Sequence, residues 1–415
     1  MIKFYIKVIL GFYLLGICIQ SYGQQVDMNQ LLLDAINHRS VKIGNRSAED
    51  MFLLKSKVPF IEKIEFRTET DRLLTSRQEF LARTSFNGFQ QKKAENDKYL
   101  KLVTWKANKM NEVRHEMLTE RYLDILEAFS HAGKIIIAQD LLNNYYRREK
   151  LSEDMLANGL SPDLAEYIKI KESIPLTKAN MQDSKDALLI LSKKFGIDNN
   201  LVFNTTNIID IDQAALMIRK IVPDFENHIY LNDFNDENDY LHSVLNAEKA
   251  QAAKIIDFAQ IKYTVRDDLL LQNRFSVGVG FLIPWKGSSG LKQNEIRIKQ
   301  NILLAEKEVK KLKLVSDFEN NKNKFEQKYR QYQMFTDIIN DPSIKKLKEQ
   351  VIISGRIDPM KAVELEETNI EIGYKINALK YEILELYIRI LSNAGDLYSL
   401  PYKNYLHPLM PVVLD

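Results

Sequence analysis

The sequence contains very few of the residues that build disulfide-linked or turn-rich folds. Its 415 residues include 1 cysteine, 15 glycines and 10 prolines. A single cysteine excludes an intramolecular disulfide, and so few glycines and prolines disfavour an architecture of many short strands joined by tight turns. Charged residues, in contrast, make up 27% of the chain. With its abundant lysine, glutamate, leucine and isoleucine, this composition predicts a mostly helical protein.

An excess of charge of either sign is also missing. The chain carries 58 Lys and Arg residues against 56 Asp and Glu residues. Loss of the segment 1–23, which contains Lys3 and Lys7 and no acidic residue, would leave 58 − 2 = 56 basic residues against 56 acidic ones. Nucleic acids and anionic surfaces bind basic domains. The balance therefore gives no indication of a nucleic-acid partner.

Long apolar runs are absent beyond the N-terminus, so no transmembrane helix is predicted. Residues 1–23 have the order of a secretory signal peptide: a basic start, an apolar core at 8–19 and small residues at 21–23. Cys18 lies within this core. A lipoprotein cleavage site would need a small residue before the cysteine, and Ile17 occupies that position. We therefore interpret Cys18 as part of a discarded signal rather than as a lipidation site.

Motifs for enzymatic chemistry are missing as well. The 6 histidines have no partners at metal-ligand spacing, and the segment around His115 lacks the second histidine of a zinc-binding helix. The acidic segment 233–239 lacks the glycine of a calcium loop, because Asn238 stands in its place. We interpret that segment as a polar lead-in to the next helix. No nucleophile, base and oxyanion set can be assembled, so we expect no enzyme, no metal site and no cofactor.

What the chain does contain is an internal repeat of about 200 residues. Two glycines separated by 355 − 159 = 196 residues are each followed by a Ser or Asp N-cap and a proline. Such a glycine ends one helix and the capped proline turn begins the next, which predicts a tight helical hairpin. The two predicted hairpin tips are Gly159, Leu160, Ser161, Pro162 and Asp163 in the first repeat, and Gly355, Arg356, Ile357, Asp358 and Pro359 in the second.

Each repeat is predicted to contain a pair of strands before its helical hairpin. Alternating apolar and polar residues indicate strands at 64–70, 80–86, 259–265 and 275–283. Long helices are predicted at 94–158 and from 293 onward, each followed by a shorter return helix at 162–194 or after the turn at 355. Short helices at 28–56 and 238–257 precede the strand pairs, and a turn is predicted at 287–290.

These elements define a predicted division of the chain. The predicted segments are a signal peptide at 1–23, a first repeat at 24–195, an inter-repeat linker at 196–237, a second repeat at 238–395 and a C-terminal tail at 396–415.

This order of segments resembles the TolC-like outer membrane efflux proteins, also called outer membrane factors. The resemblance covers nearly all of the mature chain and is most specific at 275–284, before the second long helix, and at 355–395. It implies a mainly α fold with a small β part, in which a strand pair and a long helical hairpin are duplicated. Three protomers would share one outer-membrane β-barrel and a trimeric α-helical tunnel, with the linker and the tail in an equatorial belt.

The resemblance also implies a function. The chain would be the outer membrane duct of a tripartite efflux or secretion system, exporting small molecules passively from a Gram-negative cell. Its partners would be two further copies in a homotrimer, a periplasmic adaptor (membrane fusion) protein, an inner-membrane pump and outer membrane lipid. The alternative is a periplasmic helical adaptor or scaffold without a membrane barrel. Two hairpins, each preceded by a strand pair, favour the duct.

Three groups of site residues follow from this interpretation. The lipid-facing set would be Phe275, Val277, Val279 and Phe281, unless the sheet is an ordinary soluble one half-buried on a helix. The two hairpin tips would dock the adaptor, unless their glycines only permit the turn. Members of the family often place acidic residues one and two turns after the second glycine, where Lys361 and Glu364 stand here. They would form a mixed periplasmic constriction or be solvated charges.

Overall fold

The structure is a computed structural model that describes residues 27–53, 58–70, 78–160, 163–197, 207–265, 270–282, 287–344, 346, 359–409 and 411–414. The predicted signal peptide, Cys18, Ser161, Pro162 and the tip residues Gly355, Arg356, Ile357 and Asp358 lie outside these ranges. None of the helices in the described ranges combines the length and the apolar character that crossing a membrane requires.

Helices make up most of the described chain. They are α1 (Met28–Ile36), α2 (Arg39–Leu53), α3 (Phe89–Ala157), α4 (Leu164–Lys194), α5 (Ile211–Lys220), α6 (Ile229–Ala252), α7 (Gly287–Asn340) and α8 (Pro359–Ala394). Side chains cap several of their N-termini: Asp27 accepts a hydrogen bond from the Asn29 amide, and Asp163 accepts one from the Ala165 amide. The prediction of a mainly helical chain is confirmed.

The strands are fewer and shorter. They are β1 (Ile61–Thr70), β2 (Gln78–Phe86), β3 (Ile256–Thr264), β4 (Phe275–Phe281), β5 (Lys403–Asn404) and β6 (Val412–Val413). The first four form one antiparallel sheet in the order β1-β2-β3-β4. All four strands lie where the alternation of apolar and polar residues predicted them, which confirms this part of the sequence analysis.

Three predictions of helices and turns differ most from the structure. The helix predicted at 28–56 is two helices, α1 and α2, separated at 37–38. The turn predicted at 287–290 is wrong, because these residues form the first turn of α7. The acidic segment 233–239, for which the sequence predicts a polar lead-in, lies inside α6. The helix predicted at 238–257 therefore begins at Ile229 and ends at Ala252.

The backbone falls into two compact units. The sheet unit comprises His38–Arg114 and Asp224–Val315, and the helical unit comprises Met1–Asn37, His115–Pro223 and Ser316–Asp415. The long helices α3 and α7 each contribute residues to both units.

The helical unit has an extensive apolar core. Six of its large side chains are fully buried: Leu118, Tyr122, Ile125, Phe325, Ile383 and Tyr387. The C-terminal tail is tied to this core by polar contacts. The Tyr122 hydroxyl donates to the Lys403 carbonyl and accepts from the Tyr405 amide at 3.2 Å. Asn404 Nδ2 donates to Asn29 Oδ1 at 2.8 Å. The tail is therefore an integral part of the unit.

In the helical unit the return helices of both repeats end in the same way. Gly196 has φ 74° and Gly395 has φ 90°, both in the left-handed region that favours glycine. After α4, the Gly196 amide bonds to the Lys193 carbonyl at 3.0 Å and the Ile197 amide bonds to the Ser192 carbonyl at 3.0 Å. This is the Schellman pattern.

Candidate functional site

One face of the four-stranded sheet is apolar and exposed. Strand register places Phe66, Ala82, Ile261 and Val277 side by side across all four strands. Phe66 is 80% exposed and Val277 is 77% exposed. The other exposed apolar side chains of these strands include Ile64, Phe80, Phe275, Val279 and Phe281. A contiguous apolar surface of this kind on a single chain marks an interaction surface, and it contains all four residues of the predicted lipid-facing set.

The opposite face of the sheet is polar and internally paired. Lys262 Nζ lies 2.5 Å from a Glu79 carboxylate oxygen, and Arg83 lies 3.6 Å from Asp257. The Arg83 guanidinium also stacks over the Phe258 ring at 3.5 Å. The sheet therefore has one face suited to an apolar environment and one suited to water.

The two glycines of β4 on the polar face are covered by β3 side chains. A Cβ atom at Gly280 would lie 2.2 Å from the Phe258 ring, and one at Gly278 would lie 3.1 Å from Gln260 Nε2. Distances this short require the neighbouring side chain to move. Small residues at these positions thus allow the Phe258 and Gln260 side chains to cross over β4.

Aromatic side chains cluster at both ends of the sheet. At the end with the hairpin turns, Tyr263 contacts Phe80 with ring centroids 6.5 Å apart and Phe275 with centroids 4.9 Å apart. At the end where the helices begin, Phe60 contacts Phe86 at 5.4 Å and Phe89 at 5.0 Å. Bands of aromatic residues at both ends of an apolar surface are typical of strands that cross a membrane.

The two edges of the sheet are open among the described residues. Strands β1 and β4 each pair with one neighbour only. Open edges present backbone donors and acceptors that can pair with another chain. With 10, 9, 9 and 7 residues, the four strands approach or match the length needed to cross a bilayer when tilted.

The first predicted hairpin tip is well formed on its described side. Gly159 has φ 73°, its amide bonds to the Leu156 carbonyl at 3.1 Å, and the Leu160 amide bonds to the Met155 carbonyl at 2.9 Å. A Cβ atom at Gly159 would have no atom within 4 Å. Backbone conformation, rather than lack of space, therefore explains the glycine.

Exposed leucines surround this tip. Leu156, Leu160 and Leu164 are all exposed, and Asp163 caps α4. In the second tip, Pro359 is exposed and begins α8.

The two predicted constriction residues, Lys361 and Glu364, both lie near the start of α8. Glu364 lies 3.8 Å from the Arg148 guanidinium, which also forms ion pairs with Glu166 and Glu367. Lys361 is exposed. Arg148 is thus the centre of an ion-pair cluster that joins α3 to both return helices, α4 and α8, within the helical unit.

Arg148 was missed by the sequence analysis because its partners are distant in the chain. Burial lowers the pKa of its guanidinium, but the hydrogen bond to Glu166 and the charge of Glu367 outweigh burial and raise that pKa overall. Neighbouring contacts strengthen the same region: Arg147 pairs with Glu366 at 2.6 Å, and Asn144 Nδ2 donates to the Val363 carbonyl at 3.0 Å.

A polar cleft of about 470 Å³ lies between α3 and α8 in the helical unit, and His131, Tyr381 and Glu382 are among its lining residues. Burial raises the pKa of Tyr381 to about 12. Burial, followed by the charge of Lys134, lowers the pKa of His131, although Glu127 at 3.9 Å acts in the opposite direction. His131 is therefore neutral in the folded protein over a wider pH range than a free histidine.

The remaining buried histidines have structural contacts. His115 Nε2 lies 3.1 Å from Ser392 Oγ, and His228 Nδ1 accepts the Tyr230 amide and caps α6. Within the described ranges, no group of three or more His, Cys, Asp or Glu side chains is placed to hold a metal ion.

Comparison with known proteins gives a clear result for structure and none for sequence. No family model matches the sequence, and no curated protein matches it. Among solved structures, CusC has a TM-score of 0.65 and 11% identity over 91% of this chain and 94% of that chain. The outer membrane protein VceC from Vibrio cholerae has a TM-score of 0.60 and 10% identity over 89% of this chain and 96% of that chain.

A third similar structure is a membrane protein from Pseudomonas aeruginosa, with a TM-score of 0.63 and 11% identity over 91% of this chain and 92% of that chain. VceC is an outer membrane protein, and the CusC structures concern the formation of a transmembrane channel. Since nearly the full length of each chain is matched, the likeness concerns the whole architecture. The chain therefore has the fold of the TolC-like outer membrane efflux proteins.

Proposed function

We propose that this chain is the outer membrane channel component of a tripartite efflux or secretion system in a Gram-negative bacterium. One observation carries the proposal: a four-stranded sheet with an exposed apolar face and two open edges, on a chain with the fold of outer membrane efflux proteins. Small molecules would pass through the channel passively, as the family resemblance implies.

The open edges support a homotrimer. A four-stranded sheet cannot stand alone in lipid, because its edge donors and acceptors would lose water without gaining partners. Pairing β4 of one copy with β1 of the next satisfies both edges with the same contact. Three copies, the number that the family resemblance implies, would contribute 3 × 4 = 12 strands to one closed barrel.

The two faces of the sheet support its orientation. Phe275, Val277, Val279 and Phe281 would face outer membrane lipid together with the apolar residues of the other strands. The ion-paired face with Lys262 would line the water-filled interior. Outward apolar and inward polar side chains are the arrangement found in transmembrane barrels.

The hairpin tips are proposed to dock a periplasmic adaptor, which an inner-membrane pump would accompany. The exposed leucines around Gly159 support this, because an apolar cluster at the reversal of two helices suits a helical partner. Leu160 and Asp163 belong to this tip, and Pro359 belongs to the second.

The helical unit also contains a candidate for the closure of the periplasmic mouth. We assign Glu364 to the cluster around Arg148, which ties both return helices to α3 and would have to loosen when the hairpins separate. Lys361 lies on the first turn of α8 and remains a candidate to line the periplasmic constriction.

Membrane fractionation followed by mass measurement of the detergent-solubilised protein tests the proposal. We expect the chain in the outer membrane fraction as a complex of three copies. Recovery as a soluble periplasmic monomer would contradict the channel and favour the helical scaffold instead.

A further inference from the structure

An apolar cleft lies within the sheet unit at the end of the sheet where the helices begin. Its volume is about 490 Å³. The lining residues come from the start of β1, the junction of β2 with α3, and the junction of α6 with β3; Phe60, Phe86, Phe89, Ala250, Ile255 and Ile256 provide its apolar walls. The site is distinct from the hairpin tips and from the Arg148 cluster, which belong to the helical unit.

The cleft continues the exposed apolar face of the sheet. Ile256 is the first residue of β3 and pairs in register with Phe281, which is 67% exposed. Ile61, which follows Phe60, pairs with Phe86. Phe89 at the rim is 79% exposed. An apolar surface that leads into an aromatic cleft suits a flexible hydrocarbon chain, because each methylene group that leaves water for an apolar site gains free energy.

Lys254, a charged residue on the lining of the cleft, belongs to an ion-paired group that extends beyond the lining and has no net charge. Lys254 Nζ binds Glu62 at 3.3 Å and Asp257 at 3.2 Å, and Asp257 also pairs with Arg83 at 3.6 Å. Two cations thus balance two carboxylates. This balance does not favour an anionic headgroup over a zwitterionic one.

One acceptor on the lining is unused. The Gln91 amide oxygen is buried and accepts no hydrogen bond from the described residues. A buried acceptor of this kind gains free energy when a donor reaches it. The primary ammonium of a zwitterionic phospholipid is such a donor.

From these observations we propose that the cleft binds one acyl chain of a zwitterionic glycerophospholipid, whose ammonium group donates to Gln91. This inference rests on the proposed function, because it requires the sheet to lie in a membrane. The bound lipid would lie at the end of the sheet, where β2 passes into α3 and α6 passes into β3.

The test is native mass spectrometry of the intact oligomer, reconstituted separately with phosphatidylethanolamine and with phosphatidylglycerol. Wild-type protein is expected to retain one phosphatidylethanolamine per chain after detergent washing. Ala250→Trp, which fills the cleft, is expected to lose it. Ala252→Trp is the matched control, since Ala252 lies two positions along in the same helix and does not line the cleft.

A second variant guards against a folding defect at position 250. Gly88→Leu also fills the cleft, and a Cβ atom there would make only ordinary contact with Gln91 at 3.8 Å. Loss of the lipid in either cleft variant with the oligomer intact, and retention in Ala252→Trp, supports the proposal. Equal retention in all proteins, or retention of phosphatidylglycerol alone, overturns it. Absence of the wild-type chain from the membrane fraction contradicts the proposed function instead.

Discussion

The sheet unit and the helical unit bury their apolar side chains to very different extents. No residue of β1, β2, β3 or β4 is buried. In the helical unit, α8 alone has twelve buried residues, among them Ile383, Tyr387 and Leu391. Apolar burial stabilises a folded chain by about 25 cal/mol per Å². The helices of one unit thus supply their own core, whereas the sheet of the other leaves its apolar surface uncovered.

This difference indicates where the chain needs its surroundings. A substitution in the helical core should act on the folding of the single chain. A substitution on the apolar face of the sheet should act on assembly and membrane insertion, because in the proposed channel lipid covers that face and further copies pair with the edges. Making the same substitution in the helical core and on the apolar face of the sheet tests this difference between the two units.

The largest expected effect is on the helical core. Ile383→Ala removes a side chain that is 0% exposed and should lower the free energy of unfolding by about 2–5 kcal/mol. Ile261→Ala makes the same change on the exposed face of the sheet and should alter that free energy little. Both variants are unfolded with denaturant in detergent, and the loss of helix is monitored by circular dichroism. The two free energies of unfolding give the difference. Equal shifts would show that the two units do not differ in the way proposed.

The next effect concerns the two faces of β4. Val277→Arg places a charge on the proposed lipid face and should destabilise the membrane-inserted sheet by about 2–4 kcal/mol if the residue lies near the bilayer midplane. Ser276→Arg adds the same side chain on the polar face, one residue away, where water can solvate it.

The amount of oligomer in the outer membrane fraction measures this effect. We expect severe loss for Val277→Arg and near-normal amounts for Ser276→Arg. Similar amounts for the two variants would refute the assignment of the faces. Gly280 is a poor control, because the Phe258 ring would have to move even for a serine.

A smaller effect is expected at the first hairpin tip. Gly159→Val forces a branched residue into the left-handed region, which costs about 1–2 kcal/mol. Gly196→Val is a matched control, since Gly196 has φ 74° and also has no atom within 4 Å of an added Cβ. Both variants should still assemble, because neither glycine packs against a neighbour.

Cross-linking to the adaptor separates docking from turn formation at this tip. We expect cross-links and export to fall in Gly159→Val and to persist in Gly196→Val. Normal cross-linking and export in both variants would rule out docking at Gly159.

The smallest expected effect is a pH dependence within the helical unit. Because burial lowers the pKa of His131, the unfolded chain binds a proton there more readily than the folded one. Stability should therefore be lost as the pH falls below the ordinary histidine value of about 6.5. His131→Gln should flatten this dependence, and the exposed His242 of the sheet unit gives a control variant, His242→Gln. Unfolding midpoints measured above and below that pH give the pH dependence of stability. If stability depends on pH as strongly in His131→Gln as in the wild type, His131 is not its source.

Period-two patterns predicted the strands well because one face of each strand is apolar. Phe275 begins β4 as predicted, and the alternation through Phe281 matches the exposed face. Helix starts were less predictable. The segment 233–239 is polar enough to suggest a loop, yet it is helical because α3 offers partners: Trp105 Nε1 donates to Asp233 at 2.9 Å, and Lys101 donates to Asp239 at 3.0 Å.

The candidate site was predicted only where the pattern is local. Apolar alternation identified the sheet face, and a glycine followed by a capped turn identified the first tip. The Arg148 cluster depends on Glu166 and Glu367, which are 18 and 219 residues away in sequence. No local sequence pattern connects residues at such separations. The cluster could therefore be identified only from the packing of the helices in the structure. The predicted division into repeats and linker stays a prediction.

The most direct test of the central claim is cross-linking between the edges of neighbouring sheets. The only cysteine is Cys18, inside the predicted signal peptide. Cysteine pairs can therefore be introduced in β1 and β4, combining Val277→Cys with cysteine at Ile64, Phe66 or Thr68, which share its face of the sheet. Paired antiparallel residues lie about 4.5–5.5 Å apart, which a disulfide can bridge. The account predicts, for at least one pair, an oxidised ladder in the outer membrane fraction that ends at three chains. Cross-links confined to single chains, or none between chains for any pair, would contradict it.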